Sequence, residues 1–120
     1  MAFEVNLQTV SVPASADLST KQFLFGTINA SGQVAVTGAG LASDGVIALG
    51  PSAQGLPCGL ASFPGQLARV MLGASVANGA LLEVDANGKA ITQSAGKIVG
   101  KALSAGASGD IIPALLILMR

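Results

Sequence analysis

Glycine-bearing turns interrupt the apolar runs of this chain so often that helices of ordinary length do not fit between them. In the C-terminal part, short apolar runs at 80–84, 89–92, 97–103 and 110–117 alternate with such turns. The sharpest turn is Asp85-Ala86-Asn87-Gly88, because Asn-Gly tolerates positive φ at both central positions and so closes a hairpin. The pattern predicts four consecutive antiparallel strands, a meander.

A similar turn, Asn29-Ala-Ser-Gly32, predicts a second hairpin in the N-terminal part, between runs at 23–28 and 33–37. Further strands are predicted at 45–49 and 66–72, and residues 50–58, with two prolines and two glycines, are predicted to form a loop. Such spacing is typical of an all-β domain of about eight strands. We expect a small antiparallel β-barrel or sandwich, jelly-roll or β-tulip-like.

The chain of 120 residues is expected to form one domain. Residues 1–22 are set apart by a polar segment containing Pro13 and Asp17, and two interpretations stay open for them. They form either the first strand or an extended arm that becomes ordered on a partner. Residues 23–120 are the predicted β domain.

An internal similarity links residues 59–72 with residues 100–116. In each, a glycine-containing strand leads through a short turn to a glycine, a polar residue and an apolar run. The match predicts two similar hairpins and no solenoid, because only two copies are visible.

Composition favours a protein that is part of an assembly. Hydrophobic residues make up 51% of the chain, charged residues 10%, and the net charge is zero. A mean hydropathy of +0.67 is high for a free monomer, and burial in subunit contacts would account for it. The balanced charge predicts no nucleic-acid partner. No membrane partner is predicted either, since the longest uncharged apolar run, 111–119, contains Pro113 and is far shorter than the ~20 residues of a spanning helix.

Reactive side chains are few. The chain has no His, which excludes catalytic triads and metal sites that depend on His. Cys58 has no histidine to activate it and is predicted to be a small buried apolar residue. The many serines fall mostly in turns, where they are expected for conformational reasons, so a Ser/Lys hydrolase is poorly supported.

Two further patterns resemble functional sites. Glu83 and Asp85 would share one side of a strand, and we expect a solvated face opposite Lys89. Gly38-Ala-Gly40 after a strand resembles the start of a dinucleotide fold, but Ser43 stands at the third glycine position and no helix follows. The sequence predicts no catalytic residue, no metal site and no cofactor.

The residues 77–92, 96–103 and 109–116 resemble small capsid decoration proteins of tailed phages, also called cement or head-stabilising proteins. The shared features are the hairpin around Asp85 and Gly88, then "Ile-Val-Gly-Lys-Ala-Leu", then "Gly-Asp-Ile-Ile-Pro-Ala-Leu-Leu". The resemblance implies a non-enzymatic protein on the capsid exterior, made in the host cytoplasm. It also implies that the partners are the major capsid protein and further copies of the chain, as a homodimer or homotrimer.

Candidate contact residues are the apolar side chains of the N-terminal segment and the phenylalanines. Adding a strand to a neighbour's sheet edge would use backbone hydrogen bonds for affinity and alternate side chains for register. The candidates are Phe3, Val5 and Leu7, with Phe23, Phe25 and Phe63 as alternatives at subunit interfaces. Simple core packing is the other role open to each phenylalanine.

A second function stays open, a small β-barrel module that binds a carbohydrate or peptide on a virion or cell surface. Such modules usually present exposed aromatic side chains, and the absence of Trp and Tyr counts against this alternative.

Overall fold

A computed structural model describes residues 8–120. In that range the chain forms strands, turns and loops, without a helix. The strands are β1 (Thr9–Pro13), β2 (Phe25–Ile28), β3 (Val34–Val36), β4 (Gly45–Leu49), β5 (Pro57–Ala61), β6 (Leu67–Met71), β7 (Leu81–Val84), β8 (Ala90–Thr92), β9 (Gly100–Ala102) and β10 (Ile111–Leu116).

The strands form two antiparallel sheets of five, in the orders β1-β5-β4-β2-β3 and β6-β10-β9-β7-β8. The predicted all-β class is confirmed, with ten strands in the described range where about eight were expected. The sheets do not close into barrels. In each sheet, however, a single parallel bridge joins the two edges, Ala14 to Val34 in one and Leu72 to Ala90 in the other.

The two sheets are copies of one topology. Replacing β1–β5 by β6–β10 in order converts the first strand order into the second. The registers also correspond, since Thr9 pairs with Ala61 as Leu67 pairs with Leu115. We call β1–β5 with their loops the first half and β6–β10 with theirs the second half.

The sequence basis of this duplication is clearest at the two hairpin turns. The Asn29 side-chain oxygen accepts the backbone N–H groups of the residues two and four positions further on, both at 3.0 Å. The Asp85 carboxylate does the same at 2.8 and 2.9 Å. Each side chain thus replaces a backbone acceptor inside its turn, which is why Asn and Asp are favoured there. The similarity of these two turns, noted from the sequence, marks a true repeat.

The predicted meander is wrong, because β9 pairs with β7 and not with β8. The chain therefore crosses past β7 between β8 and β9.

The prediction of two similar hairpins at 59–72 and 100–116 is also wrong. Strands β9 and β10 form an antiparallel pair, but β5 and β6 lie in different sheets. The predicted loop 50–58 is too long, since β5 already begins at Pro57. Local patterns predict strands, whereas the choice of neighbour depends on which apolar faces are buried together.

The core consists mainly of aliphatic side chains, as expected for a chain with only four Phe and no Trp or Tyr. In the first half the buried side chains include Val34, Ile47 and Leu60, with Cys58 among them. The core of the second half is larger and takes in three residues of the first sheet, Phe25, Val46 and Ala61. These three residues form the apolar contact between the halves, while the rest of the first half keeps a separate cluster of its own.

Within the segment 1–22, residues 8–22 contribute to the first half. Strand β1 pairs with β5 along its whole length, and Leu18 is buried beyond it. Residues 1–7 lie outside the described range.

Candidate interaction surfaces

The halves meet through backbone hydrogen bonds as well as apolar packing. Four N–H groups donate across the junction: Phe25 to the Gly88 carbonyl (2.9 Å), Met71 to the Phe23 carbonyl (3.0 Å), Gly40 to the Val84 carbonyl (2.8 Å) and Lys97 to the Gly40 carbonyl (3.0 Å). An added Cβ on Gly88 would overlap the Val36 Cγ1 atom of the first half, whereas the Leu24 Cβ and the Phe25 oxygen would lie at ordinary contact distance, 3.5 Å. The absence of a side chain at Gly88 therefore allows the turn of the second half to sit on the first sheet.

A shallow depression lies at one end of this junction, between the loop after β3 and the β7–β8 hairpin. Its main polar group is Glu83, which is only 7% exposed. The Glu83 carboxylate accepts the Ser94 N–H at 2.7 Å and the Ser94 hydroxyl at 3.0 Å. The hydrogen bond from the Ser94 backbone is the main reason that the pKa of Glu83 lies below its usual value. Glu83 thus holds the loop between β8 and β9 against the sheet.

The expected solvated face of Glu83 and Asp85 opposite Lys89 is wrong. Glu83 is buried against the loop, and Asp85 caps its own turn. Within residues 8–120 the ion pair observed is Arg120 with Asp44. Backbone N–H groups compete successfully for these carboxylates because several of them converge at fixed positions in tight turns.

We expect Glu83→Gln to lower the melting temperature at pH 7, because an amide cannot accept several converging donors as an ionised carboxylate does. Since folding lowers the pKa of Glu83, its stabilisation is present above the unfolded value of about 4.5 and is lost as pH falls through the folded value. The difference between wild type and variant should therefore shrink between pH 7 and pH 3, as followed by thermal unfolding. Asp17, whose pKa the Ser19 hydroxyl lowers, keeps its own pH dependence in both proteins. A difference that stays constant down to pH 3 would contradict this role.

The candidate contact residues from the sequence fall into three environments. Phe3, Val5 and Leu7 lie outside the described residues. Phe25 is fully buried where the halves meet, which is a core-packing position. Phe23 is half-buried with a positive φ of 71°, and its carbonyl accepts the Met71 N–H. Phe63 is 43% exposed in the connection between β5 and β6.

Most of the large exposed apolar residues in the described range are not aromatic, and of the whole set only Phe63 was a contact candidate predicted from the sequence. Besides Phe63, the large exposed apolar residues are Ile28, Leu41, Leu49, Leu56, Leu81, Ile111 and Met119. Alternation could have identified some of them: in β10, every second side chain starting from Ile112 is buried, which leaves Ile111 facing out.

Neither the cysteine nor the acidic residues of the described range form a metal site. Cys58 is buried in the first half, and burial raises the pKa of its thiol. Residues 8–120 contain no cluster of three or more His, Cys, Asp or Glu side chains able to hold a metal ion.

The described part of the chain contains no helix long and apolar enough to span a membrane.

Comparison with known proteins gives a structural match. No family model matches the sequence, and no curated protein matches it. The solved structure of the head fiber gp8.5 N base of bacteriophage phi29 superposes with a TM-score of 0.72 at 13% identity, covering 96% of this chain and 98% of that one. At this identity the match concerns the backbone, and it extends over both halves. The chain therefore shares the complete fold of the phi29 head fiber base.

Proposed function

We infer that this chain is a structural component of a phage virion, which binds the outer surface of the major capsid shell as an oligomer and stabilises it. The observation that carries this inference is the match over almost the whole of both chains to the base of a phage head fiber. The resemblance of residues 77–92, 96–103 and 109–116 to capsid decoration proteins of tailed phages supports the same class of protein from the sequence.

The surface chemistry supports a role in adhesion. The described range offers exposed Leu, Ile, Met and Phe side chains. Burial of such side chains contributes roughly 25 cal/mol per Å² of apolar area, without requiring charge complementarity. A neutral protein of this kind suits a large shell whose contacts are repeated many times.

For the capsid contact we propose residues 1–7, which carry Phe3, Val5 and Leu7. They precede β1, an edge strand of the first sheet, and a segment in extended conformation could add to a neighbouring sheet edge. Phe63, exposed in the β5–β6 connection, is a second candidate.

Co-sedimentation with expanded phage capsids tests the proposal. We expect wild type to pellet with capsids at micromolar concentration and to raise the temperature at which they break. Deleting residues 1–7 should reduce the pelleted fraction at least tenfold, with circular dichroism and the melting temperature as the check that the shortened chain is folded.

Leu49→Ser serves as a matched control. Leu49 is the most exposed large apolar residue of the described range, at 67%, and it lies on β4, not on the edge strand β1. Wild type that stays in the supernatant with every capsid tried, or that turns over an ester substrate, would overturn the proposed function. Unchanged pelleting after the deletion would remove residues 1–7 from the contact.

A further inference from the structure

The contact between the two halves is head-to-tail, because each half uses a different face. The first half contributes Phe25, Val46 and Ala61, which pair in one row across β2, β4 and β5. The second half contributes Val84 and the turn around Gly88. A two-fold arrangement would join the same face of each half, and this is not what is observed.

The corresponding faces on the other side of each half are not covered by any part of residues 8–120. The repeat places Ile28 where Val84 stands, and Ile28 is 39% exposed whereas Val84 is fully buried. It places Gly32 where Gly88 stands, and Gly32 is exposed with open space around it. We call Ile28 and the turn 29–33 the front face.

On the second half, the row that corresponds to Phe25, Val46 and Ala61 is Leu81, Lys101 and Leu115. Leu81 is 40% exposed where Phe25 is fully buried. We call this row the back face. Each chain therefore carries one joined pair of faces inside it and one unjoined pair on its surface.

We propose that a second copy of this chain covers these faces, with the front face of one copy packing on the back face of the next. The same strand order and register give both faces the backbone geometry of the contact already formed inside the chain. The Gly32 carbonyl would accept the Leu81 N–H of the neighbouring copy, as the Gly88 carbonyl accepts the Phe25 N–H. Lys101 replaces Val46 in the row, and its aliphatic stem can pack while the ammonium group reaches the rim.

A head-to-tail contact produces either a closed ring or an open filament. The loops after β3 and β8 favour the ring. Gly40 and Gly96 are corresponding positions, and they touch: a Cβ on Gly96 would stand 2.6 Å from the Gly40 Cα. Corresponding residues can touch only when the axis relating the halves runs close to them and the shift along that axis is small. Further copies would then be arranged around the same axis, with these loops near it, and would form a closed ring.

This inference deepens the oligomer part of the proposed function and rests on it, but its test needs no capsid. The experiment is light scattering coupled to size-exclusion chromatography on wild type, Leu81→Glu, Ile28→Glu and, as control, Leu49→Glu. Circular dichroism verifies that each variant is folded. We expect wild type and control to form one closed oligomer, and each face variant to run at the mass of one chain, 11.7 kDa.

Mixing the two face variants gives the sharpest result. Leu81→Glu keeps its front face and Ile28→Glu keeps its back face, so an equimolar mixture should form a dimer with one chain of each and no ring. A contact between identical faces could not be restored in this way. A wild type that is monomeric at about 100 µM, face variants with wild-type mass, or a mixture that stays monomeric would each overturn the inference.

Failure of this inference and failure of the proposed function look different. A monomeric wild type that still pellets with capsids would contradict the head-to-tail contact alone. A ring that does not bind capsids would contradict the capsid function alone.

Discussion

Phe25→Ala is expected to lower the free energy of unfolding by about 3–5 kcal/mol, the usual cost of truncating a buried aromatic side chain. Phe25 is fully buried and belongs to the core of the second half although it lies on a strand of the first. Its removal leaves a cavity where the halves meet. Because small domains are stable by only about 5–15 kcal/mol, the loss should be large in urea unfolding followed by circular dichroism.

Phe63→Ala is the matched control, since Phe63 is 43% exposed in a connection. We expect its effect on stability to stay within about 0.5 kcal/mol. If the two variants lose similar stability, Phe25 does not join the halves as the structure indicates.

Gly45→Ala is expected to prevent folding or to cost more than about 4 kcal/mol, a loss seen only when a substitution meets a specific obstacle. An added Cβ on Gly45 would stand 2.9 Å from the Ala61 carbonyl carbon and 3.0 Å from the Ser62 Cα. Both obstacles are backbone atoms, one in the last residue of the neighbouring strand β5 and one in the residue after it, and they cannot rotate away as a side chain can. The residue also has a φ of +153°, which disfavours any L side chain. Expression followed by urea unfolding measures the loss.

Gly65→Ala separates backbone strain from crowding. Gly65 also has a positive φ, of 88°, but open space surrounds the place of its missing Cβ. Its substitution should cost only about 1–2 kcal/mol, the penalty of the left-handed conformation. Equal losses in both variants would show that crowding against Ala61 is not the dominant cost at Gly45.

The sequence predicted the positions of the strands better than it predicted which strands pair. The hairpins β2–β3 and β7–β8 follow from Asn29 and Asp85, whose side chains complete their turns locally, and both are confirmed. The crossover from β8 to β9 does not follow from any local pattern. It depends on the pairing of β9 with β7, and in that position Gly100 and Ala102 are buried.

Glu83 shows the same limit for a single side chain. Its spacing from Asp85 predicts that both face one side of a strand, but β7 ends at Val84, and the pattern does not show which backbone N–H groups approach Glu83. Ser94 lies 11 residues further along the chain and reaches Glu83 only because the loop after β8 folds back over β7. The carboxylate that was predicted to face solvent therefore holds the loop between β8 and β9 in place.

By itself the sequence determined the all-β class, the aliphatic core and the two similar turns, because turn chemistry and alternation act over a few residues. Only the tertiary structure decided that the chain is one five-strand unit made twice and that the units join head-to-tail. The two copies keep different side chains at matching positions, such as Phe25 and Leu81, so identity is lost while backbone register is retained. Burial of the row containing Phe25, with exposure of the row containing Leu81, is a property of the assembled halves and of no local pattern.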